Sequence, residues 1–205
     1  GGAVITNNEQ YYINADQYQD HGHDHVGKDR GAETHPILGY NYRISELHAA
    51  VGLGQLTKFD TILSIQKRNY TIVRNALSSI EGITFRTVPE GGEENYSFVN
   101  FFLPNEELTK KAHKSLSDHG VDANFYWYTN NWHYINGWEH LRNVKSLGSL
   151  SGSVRHQLEK LNNTDFSKSD AIMSRTISSL VKVGWSEEEV ILRAEKMRAA
   201  IAAIF

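Results

Sequence analysis

The sequence predicts an α/β protein that ends in a small α+β domain. Apolar residues recur with the 3.6-residue period of a helix from Ile44 to Ile80, and after Gly82 the period changes to the two-residue alternation of strands. The elements predicted beyond Gly82 follow the order strand, strand, helix, strand, strand, helix. This order is typical of helices packed on one face of a mainly antiparallel sheet. The chain accordingly divides into residues 1–38, 39–81 and 82–205.

The first segment begins with a strand-like run at residues 3–6 and continues into a helix. Asn8 can accept a hydrogen bond at the start of this helix, and the helical pattern runs to about Gln19. Residues 20–36 are rich in glycine and charge and follow neither period, so we expect a loop there. Because the strand-like run starts without a leader or a cap, we also expect the chain to continue a longer sequence.

Three histidines of this loop, His21, His23 and His25, are spaced two residues apart. In an extended segment they would lie on one side. Such a cluster favours either a metal site or a polar loop over a pocket. We prefer the loop and expect no metal, because no second ligand cluster with the spacing of zinc sites follows.

Residues 39–56 read as a turn, a cap and a helix. Ser45 can cap the helix, so residues 39–43 are expected to arrive extended and to place their side chains beside the helix N-terminus. The positive end of the helix dipole suits an anion such as a phosphate. Arg43 can pair with a carboxylate or a phosphate, or it can orient Glu46 at the helix start.

The helical period continues as far as Ile80, which favours one long connecting helix. Leu53 and Leu56 lie off the apolar face of that helix. Either its first turns are buried on several sides, or it bends near Gly52 and Gly54, where missing side chains weaken the helix.

The third segment alternates strands and helices. Strands are predicted at residues 83–88, 96–103, 121–128 and 176–183. Helices are predicted between the cap Asn105 and Gly120, at residues 169–175, and after the capping box that Ser186 opens. Residues 129–165 are expected to be irregular, apart from a short helix around residues 139–144.

The composition excludes several classes of function. The 21 basic and 24 acidic side chains give a formal charge of -3, so the sequence shows no footprint for nucleic acid or for an anionic membrane. No apolar run is long enough to span a bilayer, and we expect a cytoplasmic protein. The absence of cysteine excludes disulfides and thiolate catalysis. Seven aromatic residues lie between 125 and 138. We expect about half of them in the core and the rest in the lining of a pocket for a polar small molecule.

Three motifs together resemble the DegT/DnrJ/StrS family of sugar aminotransferases. They are Gly1-Gly2-Ala3-Val4-Ile5-Thr6, Asp20-His21-Gly22 and Gly39-Tyr40-Asn41-Tyr42-Arg43. The resemblance covers essentially all 205 residues and corresponds to the C-terminal half of a family member. It implies the pyridoxal phosphate (PLP)-dependent transferase fold type I, similar to aspartate aminotransferase. Residues 1–38 would then end the large domain and carry the active-site loop, 39–81 the motif and connecting helix, and 82–205 the small domain.

The resemblance also implies the chemistry. Such enzymes use PLP to move the amino group of glutamate to a keto or aldehyde sugar. The lysine that forms the Schiff base is expected just before Gly1, so no catalytic residue is assigned within this chain. Asn41 resembles the asparagine that reaches the PLP phosphate of the neighbouring subunit, which implies a homodimer with shared active sites.

The loop at residues 20–36 resembles the loop of enzymes that convert oxidised Kdo, an eight-carbon acidic sugar, to 8-amino-Kdo for lipopolysaccharide. His21 matches the His-Gly position near the active site of the family. The other candidates for binding an acidic sugar are His23, His25, Arg30 and Arg43.

Two other interpretations stay open. Some relatives dehydrate sugars with a histidine in place of the catalytic lysine, and that residue lies outside this sequence. Composition and spacing alone are also compatible with a cofactor-free binding module, which an absorbance spectrum of the purified protein would distinguish from the two enzymes.

Overall fold

The computed structural model describes residues 2–130 and 132–205, so that Gly1 and Asn131 lie outside the described part. The chain divides into two compact units, of which the first ends at Asp60 and the second is Thr61–Phe205. None of the described helices is long and apolar enough to cross a membrane.

The first unit contains two α-helices and one short 3-10 turn. They are α1 (Glu9–Gln19), the turn Arg30–Ala32 and α2 (Glu46–Leu56). As predicted, α1 is capped by Asn8, whose Oδ1 accepts a hydrogen bond from Tyr11 N at 3.0 Å, and it ends at Gln19. The predicted strand at residues 3–6 is wrong. These residues are exposed and pair with no described strand, and a β-strand needs a neighbour to satisfy its backbone groups.

The connecting helix is two helices rather than one. The first helix, α2, ends at Leu56, and α3 (Phe59–Ser78) begins after a two-residue turn. The helix is therefore interrupted just beyond Gly54, close to the position where a bend was predicted. There Thr57 Oγ1 donates to the Gly54 carbonyl at 3.0 Å, a local side-chain bond that competes with the helical ladder. The alternative, burial on several sides, does not apply within the chain, because α2 buries none of its residues.

The second unit is built on an antiparallel four-stranded sheet, as predicted. Its strands are β1 (Thr84–Phe85), β2 (Phe98–Phe102), β3 (Asn124–Phe125) and β4 (Thr176–Leu180). Their order across the sheet is β1-β2-β4-β3, and every pairing is antiparallel. The two outer strands are much shorter than the predicted runs, because each pairs with one neighbour over only two residues.

Helices α3, α4 (Glu106–Asp118) and α8 (Glu187–Ala202) pack on one face of this sheet. Val99 and Phe101 alternate with half-buried neighbours along β2, so the apolar face of the strand meets the helices. Both predicted caps are present. Asn105 Oδ1 accepts from Leu108 N at 2.9 Å, and Ser186 forms a capping box with Glu189.

The stretch predicted to be irregular contains more helix than expected. It holds a 3-10 turn at Ile135–Gly137, α5 (Glu139–Arg142) and α6 (Gly152–Leu161), and α7 (Ser167–Met173) follows. The prediction included the short helix α5 but missed α6. The signal was present in Ser151, whose Oγ caps α6 by accepting from Val154 N at 3.3 Å.

Candidate active site

The motif at residues 39–43 forms an extended arm that pairs with the end of α1. Tyr40 N donates to the Tyr18 carbonyl at 2.8 Å, and an isolated antiparallel bridge joins Asp20 to Asn41. Because pairing of this kind fixes where side chains point, Asn41 and its neighbours have defined positions. The extended conformation predicted for the arm is confirmed.

Two glycines bring the two ends of the loop into backbone contact. A Cβ on Gly39 would lie 2.3 Å from Gly22 N, and a Cβ on Gly22 would lie 2.1 Å from the Ile37 carbonyl oxygen. Gly22 also adopts a φ of +88°, a conformation that L side chains rarely adopt. No other residue fits at either position, so the Asp20-His21-Gly22 and Gly39–Arg43 motifs are structurally interdependent.

The centre of the site is the carboxylate of Asp20, which is only 3% exposed. Arg30 Nη2 donates to Asp20 Oδ1 at 2.6 Å, and Arg43 Nη1 lies 3.3 Å from the same oxygen. His25 Nε2 is 3.1 Å from Asp20 Oδ2. The hydrogen bond from Arg30 is the main cause that holds the pKa of Asp20 well below its usual range, against the effect of desolvation.

The cluster formed by Asp20, Arg30 and Arg43 carries one net positive charge, because two guanidinium groups share a single carboxylate. Arg43 is 42% and Arg30 51% exposed at the side chain, so both can contact a second anion from the solvent side. Of the alternatives left open for Arg43, pairing with a carboxylate is observed, and the carboxylate belongs to Asp20 rather than to Glu46.

Arg43 also fixes the orientation of the Asn41 amide. Arg43 Nε can only donate, and it lies 3.1 Å from Asn41 Oδ1, so the Nδ2 group of Asn41 must be on the opposite side. Within the described part of the chain, no hydrogen bond occupies Asn41 Nδ2. This amide nitrogen is therefore a free donor beside a cluster with net positive charge.

The three predicted histidines lie close together. The ring of His23 is 6.5 Å from that of His21 and 6.4 Å from that of His25, and it packs at 4.1 Å on His35. The backbone is not simply extended, because His21 and His25 both adopt positive φ angles, of 56° and 53°. His23 Nδ1 lies 2.9 Å from Glu33 Oε2. No group of metal-binding geometry occurs among residues 2–130 and 132–205.

His25 is held between two carboxylates. Its Nδ1 lies 2.6 Å from Asp16 Oδ2, and its Nε2 faces Asp20. The hydrogen bond with Asp16 is the main cause that raises the pKa of His25 above its usual 6.5, and that with Asp20 adds to it. Both ring nitrogens thus favour the protonated form, in which His25 is a cation.

Sequence reasoning missed a tyrosine cluster and a cavity in this unit. Tyr18, Tyr40 and Tyr42 pack with ring centroids 5.6 to 5.9 Å apart. Tyr18 and Tyr42 also line a cavity of about 570 Å³, together with Tyr12 and Asp16. The alternation of Tyr40 and Tyr42 was visible in the sequence. Their partner Tyr18 was not identifiable, because it comes from the last turn of α1.

Comparison with known proteins identifies the chain. The model of the DegT/DnrJ/EryC1/StrS aminotransferase family matches residues 1–151. A Bacillus subtilis protein, EpsN, whose name assigns it to the pyridoxal phosphate-dependent aminotransferases, is 27% identical over 93 residues. That alignment covers 45% of this chain and 24% of EpsN.

Solved aminotransferases share the fold. An aminotransferase from Psychrobacter cryohalolentis matches 97% of this chain and 51% of its own, with a TM-score of 0.67 and 18% identity. PseC of Helicobacter pylori, an aminotransferase involved in the biosynthesis of pseudoaminic acid, matches 97% of this chain and 48% of its own, with a TM-score of 0.65 and 16% identity. The chain spans about half the length of these structures. The predicted fold class, α/β of the PLP-dependent transferase type I, is confirmed.

The contact between the two glycines gives the first prediction. Gly39→Ala should destabilise the first unit by roughly 1–3 kcal/mol, because the added Cβ must displace backbone atoms. The matched control is Gly52→Ala. It meets nothing within 4 Å and should stabilise α2 by roughly 0.5–1 kcal/mol. Denaturant unfolding and the rate of proteolysis within residues 20–36 measure the effects of both substitutions. Equal effects of the two substitutions would contradict the close approach.

The environment of His25 gives the second prediction. A raised folded-state pKa means that protonated His25 stabilises the fold fully below pH 6.5 and that this contribution is lost as the pH rises through the raised value. In an NMR titration the His25 pKa should lie above 6.5, and Asp16→Asn should lower it. Asp60→Asn, on the exposed start of α3, is the control and should leave it unchanged. A His25 pKa that Asp16→Asn does not move would show that Asp16 is not its partner.

Proposed function

The chain belongs to the DegT/DnrJ/EryC1/StrS aminotransferase family, and from this premise we propose that it is part of a PLP-dependent sugar aminotransferase. In this proposal the enzyme takes the amino group of glutamate and transfers it to the carbonyl of a keto or aldehyde sugar. The observation that carries it is the free Nδ2 donor of Asn41, fixed by Arg43 beside the positively charged cluster around Asp20.

The residues of the chain fit the phosphate end of PLP. Asn41 Nδ2 can donate to a phosphate oxygen without adding charge, while Arg43 keeps the amide in the required orientation. The net positive charge shared by Arg30 and Arg43 favours a dianionic group nearby. When bound, PLP supplies the electron sink for the transfer of the amino group. The chain's own contribution is to bind and orient.

We assign the phosphate that Asn41 contacts to the second copy of a homodimer. The arm that carries Asn41 leads directly into α2, whose apolar side chains point outwards on several sides. Leu47 is 81% exposed and Leu53 66% exposed. A surface helix of a monomer normally keeps its polar side outward, so this pattern supports an interface that covers α2. In such a dimer the two active sites would be shared.

For the sugar we propose an acidic substrate, oxidised Kdo, converted to 8-amino-Kdo for lipopolysaccharide. Its carboxylate would face the loop that carries His21, His23, His25 and Arg30. Protonated His25, Arg30 and Arg43 are paired with only two carboxylates, those of Asp16 and Asp20, so this group of five side chains keeps one net positive charge. A carboxylate needs such charged or hydrogen-bonding partners when water is excluded. Glutamate, the proposed amino donor, is also acidic and needs partners of the same kind.

A sugar dehydratase of the same fold is the second candidate. It would use the same phosphate contact by Asn41, and the two candidates differ at the catalytic residue expected before Gly1. Detection of an aminated product with glutamate as the donor distinguishes them, since a dehydratase releases water and leaves the nitrogen of glutamate in place.

The substrate proposal predicts a clear preference. The enzyme that contains this chain, supplied with PLP and glutamate, should aminate oxidised Kdo and leave nucleotide-linked hexoses unchanged. Mass spectrometry of the products measures this. Arg30→Gln should raise the KM for oxidised Kdo, while Lys58→Gln, an exposed cation in the turn before α3, should not. The opposite substrate preference would be compatible with the aminotransferase proposal but would exclude an acidic sugar as the substrate.

The shared site predicts a specific loss and recovery. Losing one hydrogen bond to a charged phosphate should cost roughly 1.5–3 kcal/mol, or about ten- to a hundredfold in PLP affinity. Asn41→Asp should be worse than Asn41→Ala, because it places a negative charge against the phosphate. Asn75→Asp, exposed on α3, is the matched control and should bind PLP normally. Absorbance titration with PLP measures all three.

Mixing experiments test which subunit Asn41 serves. Full-length Asn41→Asp is combined with a variant that lacks the catalytic lysine. Each hybrid dimer then has one site with both defects and one with neither, so activity should return. If hybrids form and no activity returns, Asn41 acts within its own subunit.

A further inference from the structure

The second unit contains a cavity to which the proposed aminotransferase site assigns no role. It measures about 480 Å³ and lies between residues 128–137 and residues 161–170. All its lining residues belong to the second unit, and none is among the residues considered for binding PLP or the acidic sugar. Its volume falls within the range of small-molecule sites, roughly 300–1,000 Å³.

The lining of the cavity is amphipathic. Tyr128 and Phe166 provide aromatic surface, while Asn136, Asp165 and Asp170 provide amide and carboxylate groups. A sugar ring has the complementary character, because its C–H faces are apolar and its rim carries hydroxyl groups. C–H groups interact favourably with the negative face of an aromatic ring, and hydroxyl groups donate strongly to carboxylates.

A network around Asp170 holds the polar side of the cavity in place. The hydroxyl of Tyr134 donates to Asp170 Oδ1, and Asn136 Nδ2 donates to the same oxygen at 3.1 Å. Arg142 Nη1 donates to the Asn136 carbonyl at 3.2 Å, and Asn162 Nδ2 donates to the Arg142 carbonyl at 2.7 Å. The bonds thus cross-link the two segments that line the cavity, so its polar groups are preorganised before any ligand binds.

The network also leaves an acceptor available. Burial, reinforced by the bond to Asp170, raises the pKa of Tyr134 to about 12, so Tyr134 stays protonated and keeps its proton directed at Oδ1. No hydrogen bond from the described residues occupies Asp170 Oδ2. Among the described residues only Ser167 donates to Asp165, through the backbone N at 2.9 Å and the Oγ at 3.1 Å, and the Asp165 oxygens retain lone pairs.

The charges of the lining select against an anion. The described lining residues include two carboxylates, Asp165 and Asp170, and one cation, Arg142. A ligand carboxylate or phosphate would meet net negative charge here, unlike at the cluster around Asp20. Hydroxyl and ammonium groups, by contrast, can donate to both carboxylates.

We propose that this cavity binds a hydroxyl-rich sugar ring without negative charge, with its ring face on the aromatic side and its hydroxyls on Asp170 and Asn136. The site is defined by the second unit alone. Its existence does not depend on the aminotransferase activity, and either can fail without the other.

The test is an NMR titration of the protein with three monosaccharides, namely methyl glucoside, glucosamine and glucuronate. Methyl glucoside and glucosamine should bind with saturable shifts at millimolar concentrations and should give saturation-transfer signals. Glucuronate should bind more weakly by at least about tenfold, because of its like charge. Asp170→Asn should weaken the binding of methyl glucoside by at least about tenfold, because the charged acceptor is lost. The matched control, Asp118→Asn on the exposed end of α4, should change nothing.

A second variant covers the case in which Asp170→Asn disturbs the fold. Thr164 is exposed at the cavity, so Thr164→Trp should fill the space and abolish binding while the unfolding midpoint stays unchanged. Thr71→Trp, on the exposed side of α3, is its control and should bind normally. The proposal is overturned if no sugar gives a saturable shift, if glucuronate binds more tightly than methyl glucoside, or if binding survives Thr164→Trp.

Discussion

A single buried carboxylate, that of Asp20, organises the first unit. It receives Arg30 from the loop and Arg43 from the extended arm, and it is itself the residue that follows α1. A buried charge is costly unless it is paired and hydrogen-bonded, so the three segments cannot separate without exposing or unpairing it. The position of Asn41 follows from the same contacts, because Arg43 bonds both Asp20 and the Asn41 amide. The Asn41 amide that is proposed to contact phosphate is thus oriented by the ion pair of Arg43 with Asp20.

The two units are stabilised by different forces. In the first unit the described buried residues are Gln17, Asp20 and Gly22, and no apolar side chain is among them. The second unit has a continuous apolar core that includes Leu77, Phe101 and residues of all three packed helices. Its stability should change little with salt and pH, whereas that of the first unit depends on ion pairs that salt screens and acid removes. The side chains proposed to bind charged substrates therefore lie in the unit whose own contacts are also electrostatic.

Local signals in the sequence were sufficient for most of the fold and for part of the site. The caps Asn8, Ser45, Asn105 and Ser186 each mark a helix start, because capping depends only on neighbouring backbone groups. The predicted ends of the strands were less accurate, because the lengths of β1 and β3 depend on partner strands far away in sequence. In the candidate site, Asn41 and His21 were predicted from the family resemblance, and His23 and His25 from composition, and the structure brings the three histidines close together. The role of Asp20 was not predicted, because it arises from Arg30 and Arg43, ten or more positions away, and Tyr18 was missed for the same reason.

Because the contact between Gly22 and Gly39 is made by backbone atoms, the loop stays attached whatever side chains it carries between them. The two ends of the loop are held by main-chain atoms, and the cost of closing such a loop grows only slowly with its length. Sequence between the two glycines can therefore be lengthened, shortened or exchanged while the arm and Asn41 stay in register with α1, provided that the new loop supplies a cation for Asp20. The loop is in this sense a replaceable cassette. If the loop contacts the sugar as proposed, a change confined to this one continuous stretch would alter the sugar preference and leave the position of Asn41 unchanged.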